Sequence, residues 1–255
     1  MNIIARIRTD FPTKFGIPRQ SGLVPELTGR IVFEPPFRDA NALRGLDGYD
    51  YIWLIWGFSA NVRPTETDAP GLPAEQKQEK QARPNLSEPQ RNKGEAQWAT
   101  VRPPRLGGNT RIGVWATRSP FRPNALALSS VKIENIFPDT PDGPVVVVSG
   151  ADMMDGTPIY DIKPYVTFTD SHPEARSGFV DTHAKPTLSV DFPYPLLSRL
   201  PAGKRRAAIA VLEQDPRPSY QADAERIYGF AFAGHDIRFR VDAELHATVV
   251  DVVKL

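Results

Sequence analysis

The stretch RIGVWATRSPFRPNALALSS, residues 111–130, decides how the rest of the chain is interpreted. An apolar, strand-like run leads into a turn that carries Arg118 and Arg122, and a second strand-like run leaves it. Pro120 and Pro123 stiffen this turn, because the proline ring restricts φ to about −65°. Two guanidinium groups on a rigid loop suit carboxylate or phosphate, so the pattern predicts a clamp for an anion or a cofactor. The alternative is that the arginines hold their own loop through backbone carbonyls.

Two other turns have the same character. FGIPRQSGLV, residues 15–24, carries Arg19 on a turn stiffened by proline and glycine. DMMDGTPIYDIKPY, residues 152–165, follows a continuous apolar strand. Polar loops supported by strands carry binding sites more often than they carry core residues. We therefore expect Arg19, Arg118 and Asp152 to line one shared pocket.

Five segments taken together resemble the tRNA adenine-37 N6-methyltransferase family. They are FGIPRQSGLVPEL, RGLDGYDYIWLIWGF, VRPPRLGGNTRIGVWATRSPFRPN, DGTPIYDIKPY and EQDPRPSY, and they occur in the order typical of that family. The resemblance implies a mainly β fold, in which a small β-barrel S-adenosylmethionine-binding domain is followed by a small α+β C-terminal domain. It also implies a homodimer that methylates N6 of an already threonylcarbamoylated adenosine at position 37 in the anticodon loop of tRNA.

The resemblance implies S-adenosylmethionine as the cofactor, and the three turns offer the groups that this molecule needs. Arginine and backbone donors suit its carboxylate and hydroxyls, carboxylates suit its amino group or ribose, and an apolar side chain can flank the adenine. The expected cofactor-binding residues are Pro18, Arg19, Gln20, Arg118, Leu128, Asp152 and Asp155. The chain departs from the family pattern at residues 59–60, Ser-Ala where a polar pair is usual, and at residues 125–127, Ala-Leu-Ala where Pro-Ile-Gly is usual.

The reaction that the resemblance implies calls for a base. The N6 nitrogen of threonylcarbamoyladenosine is a poor nucleophile, since its lone pair is delocalised into the purine and a carbonyl. Removal of its proton would help the transfer, and positioning would supply much of the rest. Asp152, Asp155 and Asp161 are possible bases, and Lys163 or an arginine could stabilise negative charge on the carbamoyl oxygen. The candidate catalytic residues are thus Asp155, Asp161 and Lys163, and the sequence does not choose among the carboxylates.

A further proline-braced arginine lies in DPRPSY, residues 215–220. The resemblance suggests that the C-terminal domain holds tRNA, so Asp215, Arg217 and Tyr220 are expected RNA contacts, together with Arg122. The alternative is a structural hinge in which Asp215 pairs with Arg217. Two rival functions stay open: a β-barrel module that binds an adenosyl ligand or RNA without turnover, and a methyltransferase that acts on a small molecule or another RNA.

The composition excludes several classes of protein. The 255 residues include 31 basic and 30 acidic side chains, so any binding of RNA must depend on local basic patches and not on net charge. They include no cysteine, so disulfides and thiolate metal ligands are excluded. The four histidines lack the spacing of metal ligands, so no metal is expected. No run approaches the roughly 20 apolar residues of a membrane span, and no signal segment precedes the first strand. We expect a soluble, cytoplasmic protein.

The polarity pattern divides the chain into three parts. Residues 1–170 are expected to form the barrel domain, with a polar, proline-rich insertion at 61–104. Residues 171–199 are expected to be a linker, and residues 200–255 the C-terminal domain.

Hydrophobic periodicity predicts the elements within these parts. The nearly continuous apolar run at 51–58 predicts a strand with both faces covered and with Trp53 and Trp56 in the core. A helix is predicted at 203–214, and its cationic start indicates either a solvated surface or an anionic partner. Strands are predicted at 3–7, 30–34, 51–58, 111–117, 126–136, 144–151, 226–233, 236–241 and 244–253, with Gly234 and His235 as a two-residue hairpin turn.

Overall fold

The computed structural model describes residues 1–58, 99–103, 106, 110–183, 187–217 and 223–255. These residues form a closed six-stranded barrel and a separate four-stranded sheet, which confirms the predicted mainly β fold. Most of the insertion expected at 61–104 lies outside the described residues, and so does the 59–60 departure.

The strands and helices occur in the following order. The strands are β1 (Ala5–Arg8), β2 (Thr28–Phe33), β3 (Tyr51–Gly57), β4 (Thr100–Val101), β5 (Ile112–Gly113), β6 (Leu126–Phe137), β7 (Val145–Ser149), β8 (Pro158–Pro164), β9 (Ser189–Asp191), β10 (Tyr228–Phe232), β11 (His235–Val241) and β12 (His246–Lys254). The α-helices are α1 (Thr167–Asp170), α2 (Phe179–Thr182), α3 (Tyr194–Leu197) and α4 (Arg205–Glu213).

The barrel is antiparallel and closes in the order β1-β2-β7-β6-β3-β8, with β8 returning to β1. Alternate side chains along each strand point inward because successive residues of a strand face opposite sides. Ile7, Ile31, Ile52, Leu54 and Val146 are fully buried there. A barrel of so few strands is narrow, so these side chains fill its interior.

The predicted strand at 51–58 is present as β3, which lies between β6 and β8. Trp56 is buried in the barrel core, as predicted, whereas Trp53 is half-buried and Tyr51 is exposed. The prediction that both faces of this strand are covered is therefore wrong. One face lines the barrel interior, and the other lies on the outer surface.

The predicted strand at 111–117 is mostly absent. Only β5 pairs, with β4, and a 3-10 turn follows at Val114–Ala116. Val114 is fully buried while Trp115 is 68% exposed, so the turn anchors one apolar side chain and presents the next to solvent. The arginine turn therefore begins from a tight helical turn rather than from a long strand.

The C-terminal meander is confirmed, since β10, β11 and β12 pair in sequence as antiparallel neighbours. Phe232 pairs with His235, so the connecting turn consists of Ala233 and Gly234, one residue earlier than predicted. Both turn residues have positive φ, 49° and 75°, as a type I′ hairpin requires.

The C-terminal sheet also recruits part of the segment expected to be a linker. Strand β9 adds to this sheet in parallel with β12, and Leu188 is buried in the C-terminal core. The predicted helix is present as α4, which turns its apolar face toward the sheet. Its buried residues are Ala207, Ala208, Ala210, Val211 and Leu212.

The cationic start of α4 does have anionic partners, and they lie in the same chain. Lys204 Nζ lies 2.6 Å from Asp10 Oδ2, and Arg206 Nε lies 3.1 Å from Glu26 Oε1. Both carboxylates belong to the connection between β1 and β2. These ion pairs therefore join the C-terminal unit to the barrel unit.

Candidate functional site

The three polar turns meet at one end of the barrel. In chain order, the first turn lies in residues 15–24, the second in 111–130 and the third in 152–165. Arg118 Nη1 donates a hydrogen bond to Gln20 Oε1, which joins the second turn to the first. The backbone N–H of Ser21 donates to the carboxylate of Asp152, which also feels the positive charge of Arg118. Gly22 N donates to the carbonyl oxygen of Gly150 over 2.9 Å. The backbone of the first turn is therefore also joined to the residues that lead into the third turn.

Asp152 is supported by Ser129, which the sequence pattern did not mark as a site residue, and through Ser129 by Trp56, which was expected only in the core. Ser129 Oγ donates to Asp152 Oδ1 over 2.7 Å, and Trp56 Nε1 donates to Ser129 Oγ over 2.9 Å. Ser129 is buried on the inward face of β6. A serine at an inward position of an otherwise apolar alternation is the signal that could have identified it.

The pKa of Asp152 is raised above its usual range, chiefly because burial disfavours the charged form. Hydrogen bonds from Ser129 and from backbone N–H groups, and the charge of Arg118, act in the opposite direction without cancelling the effect of burial. The carboxylate is therefore incompletely compensated. A ligand with a cationic amino group or a hydroxyl donor would supply the missing stabilisation.

Arg122 has a different environment, although it lies only four residues from Arg118. Its Nη2 donates to the carbonyl oxygens of Thr117 and Val114 over 2.6 and 3.2 Å, and its Nε donates to that of Ser119 over 3.1 Å. Its guanidinium also lies 5.9 Å from the ring centroid of Trp115. This geometry favours the alternative in which an arginine holds its own loop.

The candidate residues of the first turn differ in their exposure to solvent. Pro18 is buried, Gln20 is half-buried and Arg19 is exposed. The structure thus brings Gln20, Arg118 and Asp152 together as a candidate site, and Arg19 is an exposed residue of the same turn as Gln20.

Leu128, Asp161 and Lys163 share the outer face of the barrel beside this end. Ile55 of β3 pairs with Leu128 on one side and with Asp161 on the other. Leu128, Ile55 and Asp161 therefore form a row across three neighbouring strands. Leu128 is 55% exposed, and Lys163 Nζ lies 3.5 Å from Asp161 Oδ2. An apolar surface and an ion pair thus adjoin the site.

Asp155 faces the end of β1. Its Oδ1 accepts the backbone N–H of Thr9 over 3.0 Å, and its Oδ2 lies 3.6 Å from Arg8 Nη1. These contacts give this carboxylate a role in holding the third turn to β1.

In the C-terminal unit, Asp215 and Arg217 form a buried pair. Arg217 Nε and Nη2 donate to the two carboxylate oxygens over 2.8 and 3.2 Å. The guanidinium also lies 6.0 Å from the ring centroid of Tyr228, and the guanidinium of Arg226 lies 5.6 Å from the same centroid. This geometry favours the structural hinge, and Tyr220 lies outside the described residues.

Within the described part of the chain, no three histidine, aspartate or glutamate side chains are grouped closely enough to hold a metal ion. Nor does any described helix have the length and apolar character needed to cross a membrane.

Comparisons with known proteins cover nearly the whole chain. The family model for the tRNA-methyltransferase O N-terminal domain matches residues 6–83 and 86–171, and the model for the TrmO C-terminal domain matches residues 185–255. The tRNA (adenine(37)-N6)-methyltransferase of Escherichia coli strain K12 is 33% identical over 247 residues, which is 93% of this chain and 91% of that protein.

Other relatives extend the likeness. RcsF of Pseudomonas aeruginosa strain PAO1, named as a candidate S-adenosylmethionine-dependent methyltransferase, is 32% identical over 98% of this chain and 95% of its own length. The solved structure of TrmO from Pseudomonas aeruginosa superimposes with a TM-score of 0.67 at 27% identity, covering 99% of this chain and 96% of that one.

Proposed function

Because this chain belongs to the tRNA-methyltransferase O family, we propose that it transfers a methyl group from S-adenosylmethionine to N6 of adenine-37 in tRNA. The observation that carries this proposal is the meeting of Gln20, Arg118 and Asp152, from three distant parts of the chain, at one end of the barrel. The proposed substrate is tRNA whose adenosine-37 already bears the threonylcarbamoyl group. The proposed compartment is the cytoplasm.

The groups present fit S-adenosylmethionine. Its amino-acid end carries one anionic and one cationic group, and the site offers an arginine beside an incompletely compensated carboxylate. Arg118 and Arg19 would donate to the ligand carboxylate, and Asp152 would accept from its amino group or ribose. Gln20 holds Arg118 in place, and Leu128 offers an apolar surface for the adenine.

When bound, S-adenosylmethionine supplies a methyl group on a positively charged sulfur, which is open to in-line displacement by nitrogen. The N6–CH₃ bond forms as the S–CH₃ bond breaks, and the N6 proton must leave to a base. The contribution of the protein is to hold N6 in line and to take up that proton.

Of the candidate bases, Asp161 has the most suitable position. It lies in the same row of the barrel surface as Leu128, whereas Asp155 is held by Thr9 and Arg8. Lys163 pairs with Asp161 and would stabilise negative charge that develops on the carbamoyl oxygen. We assign Asp161 as the base and Lys163 as its charge-stabilising partner.

The RNA contact proposed for the C-terminal unit is indirect at Asp215 and Arg217, because these side chains neutralise each other below the surface. Arg226 is exposed, and its guanidinium lies 5.6 Å from the ring centroid of Tyr228, which Arg217 also approaches. The buried pair would thus support a surface arginine that contacts a phosphate.

The homodimer is also part of the proposal. Apolar side chains occupy the outer barrel face, where Ile55 and Leu126 are half-buried and Leu128 is mostly exposed. A second copy would pack against Ile55 and Leu126 and leave Leu128 to the adenine, since exposed apolar patches commonly mark interaction sites. Light scattering should give about twice the 28.3 kDa chain mass, and the mass of a single chain would refute a dimer.

The deciding experiment uses purified protein, S-adenosylmethionine labelled in its methyl group, and tRNA with or without the threonylcarbamoyl group. Label should enter only the modified tRNA and should be recovered at N6 of adenosine-37. Tight cofactor binding with no label in either RNA would refute the proposal and favour a binding module or a small-molecule substrate. Equal labelling of both RNAs would refute the proposed requirement for the threonylcarbamoyl group.

A further inference from the structure

The segment 9–27 connects two strands of the barrel, yet three of its apolar side chains lie in the core of the C-terminal unit. Phe11, Val24 and Leu27 are at most 4% exposed and belong to the same buried cluster as residues of α4 and the C-terminal sheet. The rings of Phe11 and Phe232 are 5.1 Å apart between centroids. The turn that carries Pro18, Arg19 and Gln20 is thus mounted on the other domain.

The backbone of Gly16 packs tightly against the ring of Phe230. The backbone of Gly16 has φ of +86°, and a Cβ atom built there would lie 2.5 Å from Cδ2 of the Phe230 ring. Only glycine permits this approach, since a Cβ would push the backbone and the ring apart. Gly16 lies two residues before Pro18, so the Phe230 ring determines how far the turn can recede from the site.

Both ends of the segment are tied to the C-terminal unit as well. Ala233 N donates to the carbonyl oxygen of Asp10 over 3.0 Å, and Lys204 Nζ pairs with the carboxylate of the same residue over 2.6 Å. At the far end, Arg206 pairs with Glu26. The back of the segment therefore rests on the C-terminal unit, while its front contacts Arg118, Asp152 and Gly150.

We propose that the C-terminal sheet is a positioning element for the cofactor turn and that it acts through the contact of Phe230 with Gly16. The ligand assigned to the turn rests on the proposed function, but the mechanical contact does not. Phe230 is then a positioning residue, since it acts on Gln20 and Arg118 through the backbone of the turn. A ligand that binds the C-terminal unit would in turn change affinity at the cofactor turn, because coupling between two sites is reciprocal.

The test compares two glycines with nearly the same backbone. Gly16→Ala should weaken S-adenosylmethionine binding roughly tenfold to a hundredfold, because a displacement of about 1 Å at a binding group can have an effect of that size. Gly45→Ala is the control, since Gly45 has φ of +85° and open space around its Cβ position. It should retain the wild-type dissociation constant in calorimetry even if both variants melt at a lower temperature.

A second variant keeps the test sharp if Gly16→Ala is poorly folded. Phe230→Leu removes the ring edge that faces Gly16 and should weaken binding less, while the double variant with Gly16→Ala should bind more tightly than Gly16→Ala alone. The positioning role is refuted if Gly16→Ala binds as the wild type does, or if the double variant binds no more tightly than Gly16→Ala. Where Gly16→Ala is poorly folded, wild-type binding by Phe230→Leu refutes it. Wild-type protein that fails to bind S-adenosylmethionine would instead overturn the proposed function.

Discussion

Asp152 and Asp215 are both carboxylates withdrawn from water, but their charges are compensated in opposite ways. Asp215 receives two hydrogen bonds from the guanidinium of Arg217. Asp152 receives hydrogen bonds from a serine hydroxyl and from backbone N–H groups, and burial still raises its pKa. A carboxylate satisfied within the chain supports the structure, and one that is short of positive charge is available to a ligand.

The largest expected effect follows from breaking the satisfied pair. Arg217→Ala should lower the free energy of unfolding by about 3–5 kcal/mol, because it leaves the charge of Asp215 buried without its partner. Urea unfolding followed by circular dichroism measures this change. The control is Arg30→Ala, whose pair with Asp142 is more than half exposed and should contribute at most about 1 kcal/mol. Equal effects at the two sites would contradict the structural role assigned to the buried pair of Asp215 and Arg217.

Replacing the incompletely compensated carboxylate of Asp152 should raise stability and weaken cofactor binding. Asp152→Asn should bind S-adenosylmethionine roughly tenfold to a hundredfold more weakly, since a hydrogen bond to a charged group contributes about 1.5–3 kcal/mol. The same variant should be more stable than the wild type at neutral pH.

The sign of that stability change follows from the raised pKa of Asp152. A group whose folded pKa exceeds its unfolded value destabilises the fold as pH rises through the folded pKa, where the buried form must ionise. The advantage of Asp152→Asn should therefore be present at pH 7 and disappear below the usual aspartate value of 3.8. A variant that is less stable than the wild type at pH 7 would show that the carboxylate is fully compensated.

The support behind Asp152 should have a smaller effect. Ser129→Ala removes the hydroxyl that links Trp56 to Asp152, and it should lower the free energy of unfolding by about 1–3 kcal/mol because a buried donor loses its acceptor. It should also raise the pKa of Asp152 further, which carbon-13 NMR of the carboxyl group can follow. Ser130→Ala, one residue along on the other face of β6, should change stability by less than about 0.5 kcal/mol. A larger loss at Ser130 than at Ser129 would contradict this account of the support.

The smallest effect is expected at the surface that the satisfied pair supports. Arg226→Ala should weaken tRNA binding by about 1 kcal/mol or less and reduce the salt dependence by about one phosphate contact. Filter binding over a range of salt concentrations measures both quantities. An unchanged salt slope would remove Arg226 from the RNA surface.

Much of the fold could be predicted from local pattern. The alternation in β6 and the continuous apolar run in β7 give their strands directly, and the meander follows from three alternating runs. Closure of the barrel could not be derived in this way, because it depends on β8 returning to β1 across about 150 residues. The family resemblance supplied that step.

Local pattern also predicted the turns of the candidate site, but not the contacts between them. Proline and glycine marked the three turns, but whether an arginine reaches across to another turn or folds back on its own depends on geometry that spacing does not contain. Arg118 and Arg122 have similar neighbours in sequence and opposite roles in the structure. The dependence of the first turn on Phe230 was hidden for another reason, since it joins residues more than 200 positions apart.

We propose that three separate turns form one cofactor site. Calorimetric titration of S-adenosylmethionine into Gln20→Ala, Arg118→Ala and Asp152→Asn tests it most directly, with Arg30→Ala as the control. We predict weaker binding in all three variants and wild-type affinity in the control. Wild-type affinity in any one of the three would mean that its turn does not contribute to the site and would contradict the account.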